Sequence, residues 1–322
     1  MKKFSDTQKS GLLFSAIVFC NLIIQFALGF IWMIYASAAG AEQSSWSFGF
    51  VAFAQFVLPV TLFLALIVII KNFFADKPKS VFFAKKTNAA NIMLAIVFGF
   101  LIYFVTAFAG GVFQLFWEAV GTVPSLDLPS VDSFGKFVIF LVVFAILPAI
   151  SEEFIYRGAI FHYSQKGGGR VFAIIFSAVC FSLMHMNFYQ IGYAFVAGLL
   201  FALFMVATKD IWFVVVMHCV NNSISILTMY LQEGLGNEYA YNVFGLTTFE
   251  TVMAIVSALI FVGYFVWYFA KEREKEPQIL VGEEVSAGEP PLLAEKKGDA
   301  VKTALAGLIT CFVIALMSLI LV

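Results

Sequence analysis

The sequence predicts an all-α, polytopic bundle of about eight to nine transmembrane helices. Hydrophobic residues fill 62% of the 322 positions, only 12% of the residues are charged, and the mean hydropathy is +0.96. A soluble domain carries about 25% charged residues, so this composition excludes a soluble enzyme, a DNA-binding module and a disordered protein. The apolar runs are unbroken and close to the roughly 20 residues that span a bilayer as a helix, whereas barrel strands alternate in polarity.

Nine apolar segments are candidate helices. They cover 11–36, 47–70, 89–117, 134–156, 171–186, 188–208, 211–232, 248–270 and 303–322. The first follows Lys2 and Lys3 like a signal peptide, but its apolar stretch of about 25 residues exceeds a signal core. We therefore expect a retained helix. The fourth is expected to continue toward Tyr163, and the fifth is short, with a tight link to the sixth around Asn187.

The lysines and arginines predict that the N-terminus lies in the cytosol. With that orientation, 17 of the 19 basic residues fall inside, Lys136 lies outside, and Arg157 remains within the fourth helix. The inside set is Lys2, Lys3, Lys9, Lys71, Lys77, Lys79, Lys85, Lys86, Lys166, Arg170, Lys209, Lys271, Arg273, Lys275, Lys296, Lys297 and Lys302. The expected location is therefore a plasma membrane, which we take to be bacterial.

Three regions are expected along the chain. Residues 1–133 are N-terminal transmembrane helices, 134–232 form a helical core that carries the polar motifs, and 233–322 are C-terminal transmembrane helices. The last region contains a solvated cytosolic linker at about 271–302, rich in proline, glutamate and lysine. No appended soluble domain is expected, so any chemistry must occur within or at the edge of the membrane.

The first polar motif within the apolar core is Glu152-Glu153-x-x-x-Arg157. Ionisable side chains at membrane depth are costly and mark functional positions. Glu153 and Arg157 are four residues apart on one helical face and are expected to pair. Glu152 then lacks a cation in its own helix, and its pKa is expected to rise in an apolar site, which suits a general base. The alternative is that both acids merely mark the cytosolic interface.

Two further motifs follow on later helices. Phe181-x-x-x-His185 lies in the fifth segment, and His218-x-x-x-Asn222 places two hydrogen-bonding side chains on one face of the seventh. Either motif alone is also typical of packing between membrane helices. The helix rise, counted from basic cytosolic markers, places Glu152, His185 and Asn222 about 20 Å deep and His218 about 13 Å deep. The remaining histidine, His162, is expected at the cytosolic interface.

Taken together, the three motifs in this order resemble the CPBP family of intramembrane proteases. This family includes CAAX prenyl endopeptidases of the Ras-converting-enzyme type and the Abi proteins of bacteriocin processing and immunity. The resemblance covers roughly residues 137–231 and implies a protease. It implies that Glu152 and His185 activate a water and that His218 and Asn222 stabilise the oxyanion. Glu153, Arg157 and Phe181 are implied as supporting residues.

The cofactor and the activity each leave an alternative open. A metal-free glutamate mechanism is preferred, and the alternative is a zinc enzyme with Glu152, Glu153, His185 and His218 as ligands. Alternatives of another class are an ion-coupled transporter and a non-proteolytic membrane immunity protein. Nine helices without an evident inverted repeat argue against common transporter folds. The expected partners are a peptide or lipidated-peptide substrate and membrane lipids, with no nucleic acid, and the oligomeric state stays open.

Overall fold

The computed structural model describes residues 4–40, 46–82, 87–121, 128–234 and 246–275, together with 309, 310 and 313. Nine helices account for the regular structure of the described part between residues 4 and 275. They are α1 Asp6–Ala39, α2 Phe48–Phe73, α3 Pro78–Val81, α4 Ala89–Val120, α5 Phe134–Gly168, α6 Arg170–Leu183, α7 Phe188–Thr208, α8 Ile211–Gly234 and α9 Thr248–Lys275. All except α3 and α6 contain a segment long and apolar enough to cross a membrane. The protein is therefore a multi-pass helical membrane bundle, as the composition predicted.

The helix bounds differ from the predicted segments in two places that matter for the site. Helix α5 continues past Tyr163, as expected, and ends at Gly168. Helix α6 ends at Leu183, and Met186 then adopts a left-handed backbone conformation with φ of 51°. His185 therefore lies in the turn after α6 and not inside a helix that continues to 186. The predicted ninth span, 303–322, lies outside the described residues apart from three positions.

Local sequence signals set where the helices begin. Ser5 and Gln8 form a capping box at the start of α1, in which each side chain bonds the other residue's backbone N–H. Asn88 caps α4, and the Asp210 carboxylate accepts from two backbone N–H groups at the start of α8. These caps satisfy backbone donors that would otherwise be left unpaired at helix ends.

Ion pairs gather the predicted cytosolic residues at one end of the bundle. The Lys9 ammonium of α1 contacts the Asp76 carboxylate at 2.6 Å, and the Tyr163 hydroxyl of α5 donates to the same oxygen at 2.9 Å. At the same end, Arg170 of α6 pairs with Glu272 of α9 at 2.6 Å. The structure thus brings together ends of α1, α2, α5, α6 and α9 that the charge pattern had assigned to one side.

Two glycines allow close contacts between neighbouring helices. Gly99 of α4 lies against α8 so closely that an added Cβ would stand 2.6 Å from the Met217 carbonyl oxygen. Gly198 of α7 lies against Ala178 of α6, where a Cβ would stand 3.1 Å from the Ala178 Cα. Small residues permit this backbone approach in membrane bundles. The approach at Gly198 brings its carbonyl within reach of α5.

The Asp76 contacts give a test of the ion network at this end. Burial raises the pKa of the Asp76 carboxyl, but hydrogen bonds from Lys9 and Tyr163 and the charges of Lys9 and Lys166 outweigh it, and the pKa is lowered. A lowered folded-state pKa stabilises the protein above the ordinary carboxyl pKa and loses that effect as the pH falls below about 4. We expect Asp76→Asn to lower the melting temperature at neutral pH by about 1–3 °C and to converge with wild type in acid.

The control for this prediction is Asp132→Asn, which removes an exposed pair with Lys136. We expect it to leave the melting temperature nearly unchanged, because exposed pairs contribute little. Equal effects of the two substitutions at neutral pH would contradict a stabilising role for the Asp76 network.

Candidate functional site

Helix α5 carries the acidic motif between two π-helical segments. The π segments are Leu141–Ile146 and Phe154–Ile160, and the α-helical turns Leu147–Glu153 lie between them. Short π segments are uncommon and often occur at functional sites, because they change which direction the following side chains face. Pro148 is the second residue of the middle stretch, and Glu152 and Glu153 end it.

The Glu153 carboxylate is shared by two cationic or hydrogen-bonding partners. Its Oε1 atom accepts from Arg157 Nη1 at 3.0 Å and contacts His218 Nδ1 at 2.8 Å. The side chains of Glu153 and Arg157 have no exposed surface, and that of His218 is 4% exposed. The predicted Glu153–Arg157 pair is therefore confirmed, and the structure adds His218 to it.

Aromatic rings and a backbone carbonyl enclose the Arg157 guanidinium. Its central carbon lies 4.4 Å from the Phe181 ring centroid and 5.3 Å from that of Phe201. Its Nη2 donates to the Gly198 carbonyl at 3.1 Å. Cation–π contacts strengthen when water is excluded, so the two rings help to compensate for burying this charge. Phe181 is thus placed against the ion pair as well as against the histidines.

His218 is held so that its second nitrogen faces Glu152. Its ring stacks on Phe201 with centroids 4.8 Å apart, and Phe181 meets it edge-on at 5.8 Å. His218 Nε2 lies 3.8 Å from Glu152 Oε2, whose side chain is 30% exposed. The expectation from the sequence concerned only cations in the helix that carries Glu152, and the structure adds His218 from α8 as its neighbour.

The turn after α6 orients His185. Its Nδ1 atom lies 3.0 Å from the Phe181 carbonyl oxygen, which can only accept, so Nδ1 carries the proton of this hydrogen bond. In the neutral ring, Nε2 is then left as an acceptor. The ring also meets Phe181 edge-on at 5.1 Å. Phe181 therefore contacts both histidine rings, His185 and His218, and lies between the two motifs.

The Asn222 amide is engaged on both of its ends. Its Nδ2 donates to the Phe144 carbonyl of α5 at 3.1 Å, and its Oδ1 accepts from Asn221 Nδ2 at 3.0 Å. Thr106 of α4 in turn lies 3.1 Å from Asn221 Oδ1. This chain of side chains joins α4, α8 and α5 around the position that the third motif predicted.

Sequence reasoning missed several polar residues near these motifs. Asn21 of α1 is buried, and its amide contacts the sulfur of Met186, next to His185, at 3.9 Å. Gln25 donates to Asn21 at 3.0 Å. A search for amides and hydroxyls within apolar runs, beside the search for charges, would have found Asn21 and Thr106. His162, expected at the interface, is covered by neighbouring side chains, with 6% of its surface exposed.

The described side chains also bear on whether a metal ion could bind at this site. In the described part of the chain, no three His, Cys, Asp or Glu side chains are arranged to hold one. Glu152, Glu153 and His218 cluster together, but His218 Nδ1 points at Glu153, while His185 bonds the Phe181 carbonyl. The described geometry thus does not bring these four side chains together around one point.

The shared carboxylate gives a stability prediction. We expect Glu153→Gln to lower the free energy of unfolding by about 3–5 kcal/mol, because it leaves the buried Arg157 charge without its counter-ion. Thermal unfolding in detergent would measure this effect. Glu118→Gln is the matched control, since Glu118 is exposed near the end of α4 and its side chain bonds only Gln114 among the contacts the structure describes for it. Melting temperatures of Glu153→Gln and wild type that agree would contradict the pair.

Residues 134–224 match the family model of the Rce1-like, type II CAAX prenyl endopeptidases. A comparison with curated proteins gave no match. The matched region is less than a third of the chain, but it contains all three motifs and supports a CAAX-type intramembrane protease. Residues 134–224, which hold the whole cluster around Glu153, are therefore the part of this chain that is similar to the Rce1-like CAAX protease family.

Proposed function

We propose that the protein is an intramembrane endopeptidase in which Glu152 and His185 activate a water and His218 and Asn222 hold the oxyanion. The observation that carries this proposal is the placement of His218. Its Nδ1 contacts Glu153 at 2.8 Å, while Nε2 faces the partly exposed Glu152 at 3.8 Å. A carboxylate and an imidazole that meet in an apolar interior are the groups that proton transfer requires.

The first step is attack by water on the substrate carbonyl. Glu152 accepts one proton of the water as its oxygen bonds to the carbonyl carbon. His185 Nε2, left as an acceptor by the hydrogen bond at Nδ1, can accept from the other proton and orient the water. The carbonyl oxygen becomes an oxyanion. The proton held by Glu152 then passes to the leaving amine as the carbon–nitrogen bond breaks.

The oxyanion requires hydrogen-bond donors that are already in place. His218 can supply one from Nε2 only when both ring nitrogens are protonated, since Nδ1 is directed at Glu153. The Glu153 carboxylate is placed to balance the charge of that imidazolium. Asn222 has two N–H groups, of which one bonds the Phe144 carbonyl and the other remains for the oxyanion. A donor of this kind typically contributes about 10²–10³ in rate.

The substrate is a peptide, and we propose one embedded in or attached to the membrane. A prenylated CAAX-type peptide and a peptide precursor of the bacteriocin kind are the two classes that the resemblance indicates. Hydrolysis assays on the same peptide with and without a prenyl group would separate them. Turnover of neither by reconstituted protein would favour a non-proteolytic immunity role or a transporter.

Zinc dependence remains the alternative mechanism. If zinc activates the water, purified protein should hold about one equivalent, and a strong chelator should stop hydrolysis reversibly. The proposed mechanism expects activity to persist after chelation. Stoichiometric zinc that is present in the wild-type protein and absent from both His185→Ala and His218→Ala would contradict the proposed metal-free mechanism.

We infer that the end of the bundle that contains Lys9, Asp76 and Arg170 faces the cytosol, because the charge pattern of the sequence assigns Lys9 and Arg170 to the inside. A single cysteine at position 79, in a background without native cysteines, should react with an impermeant thiol reagent from the cytosolic side. A cysteine at position 132 should react from the opposite side. Reversed labelling would contradict this orientation.

The role of Glu152 gives the most specific activity prediction. We expect Glu152→Gln to reduce hydrolysis about 10²-fold or more, because the amide cannot accept the water proton. Its melting temperature should stay close to that of wild type, since the side chain is partly exposed and keeps its shape. Glu118→Gln should retain full activity. Normal turnover by Glu152→Gln would contradict the proposed function.

A further inference from the structure

A proline in α5 bears on the orientation of Asn222. In an α-helix the carbonyl of residue 144 bonds the N–H of residue 148, but residue 148 is a proline and has no N–H. The preceding segment is already π-helical, with Leu147 N–H donating to the Val142 carbonyl five residues earlier. The Phe144 carbonyl therefore lacks its α-helical donor.

Asn222 donates to this carbonyl from the neighbouring helix α8. The Nδ2···O distance of 3.1 Å is that of an ordinary hydrogen bond. The amide cannot turn over freely, because its Oδ1 accepts from Asn221 at 3.0 Å. With one N–H on the Phe144 carbonyl and the oxygen engaged by Asn221, the plane of the amide is fixed. The direction of the second N–H is then fixed as well.

We propose that Pro148 is a positioning residue that acts through Asn222: by depriving the Phe144 carbonyl of its α-helical donor, it favours the hydrogen bond from α8 and so orients the amide. This inference rests on the proposed function for the part that concerns catalysis. Its structural part, the coupling of Pro148 to Asn222, stands on the hydrogen bonds alone. Pro148 lies four residues before Glu152, so one helix segment sets both the base and the orientation of the oxyanion donor.

The structural part is tested by melting temperatures in a double-mutant cycle. Asn222→Leu removes the donor at similar volume and should lower the melting temperature by about 2–4 °C in the wild-type background. In a Pro148→Ala background the loss should shrink, because the backbone N–H that this substitution restores at position 148 can bond the Phe144 carbonyl. Equal losses in both backgrounds would overturn the coupling, since independent sites add.

The catalytic part is tested by the kinetics of Pro148→Ala. Replacing a proline inside a helix restores a backbone donor and is not expected to unfold the protein. We expect kcat to fall about tenfold or more with KM nearly unchanged, because the Asn222 amide is released from its orientation. In the Asn222→Leu background the same substitution should cause no further fall. A normal kcat in Pro148→Ala would overturn the positioning role.

Pro59→Ala is the matched control, since Pro59 is also a proline inside a membrane helix, α2. It should leave kcat unchanged, and an equal fall in kcat for both proline variants would overturn the inference. Absence of proteolysis in the wild-type protein would contradict the proposed function alone. The melting cycle would still decide whether Pro148 and Asn222 are coupled through the Phe144 carbonyl.

Discussion

The site depends on one buried carboxylate oxygen, Glu153 Oε1, which is shared by Arg157 and His218. A charge at this depth is costly unless it is paired and hydrogen-bonded. The pairing lies within α5, the imidazole comes from α8, and the rings that cover the guanidinium come from α6 and α7. Helices α5 and α8 therefore supply the partners of this oxygen, and α6 and α7 cover the guanidinium, so the packing of four helices sets where His218 points.

Two buried polar atoms in the described cluster around Glu153 lack a hydrogen-bond partner, which suits a catalytic site. Among the described residues, Glu153 Oε2 and Arg157 Nε are buried without a hydrogen-bond partner. Buried polar atoms of this kind are rare, because each costs free energy. One unpaired atom lies on Glu153, which bonds His218, and the other lies on its partner Arg157, whereas the side chain of Glu152 is partly exposed. The buried Glu153–Arg157 pair thus supports His218. The partly exposed Glu152 is the carboxylate that water and substrate can reach.

Much of the bundle could be predicted because a bilayer constrains sequence strongly. Apolar runs give the long helices, and the Glu153–Arg157 spacing gives the ion pair. The meeting of His218 with both glutamates could not be predicted, because it depends on how α8 packs beside α5. The end of α6 at Leu183 and the left-handed Met186 were also missed, since no glycine or proline marks that turn. The hydrogen bond from Asn222 to the Phe144 carbonyl follows from Pro148, whose effect on the backbone of α5 is visible only with its neighbours in place.

The most direct test of the shared carboxylate is nitrogen-15 NMR of histidine-labelled protein. The chain has three histidines, so each ring can be assigned by substitution. The His218 Nδ1 proton should be strongly deshielded by its charged hydrogen bond, and Glu153→Gln should move this resonance while His162 and His185 stay nearly unchanged. A His218 spectrum that is the same in wild type and Glu153→Gln would contradict the account.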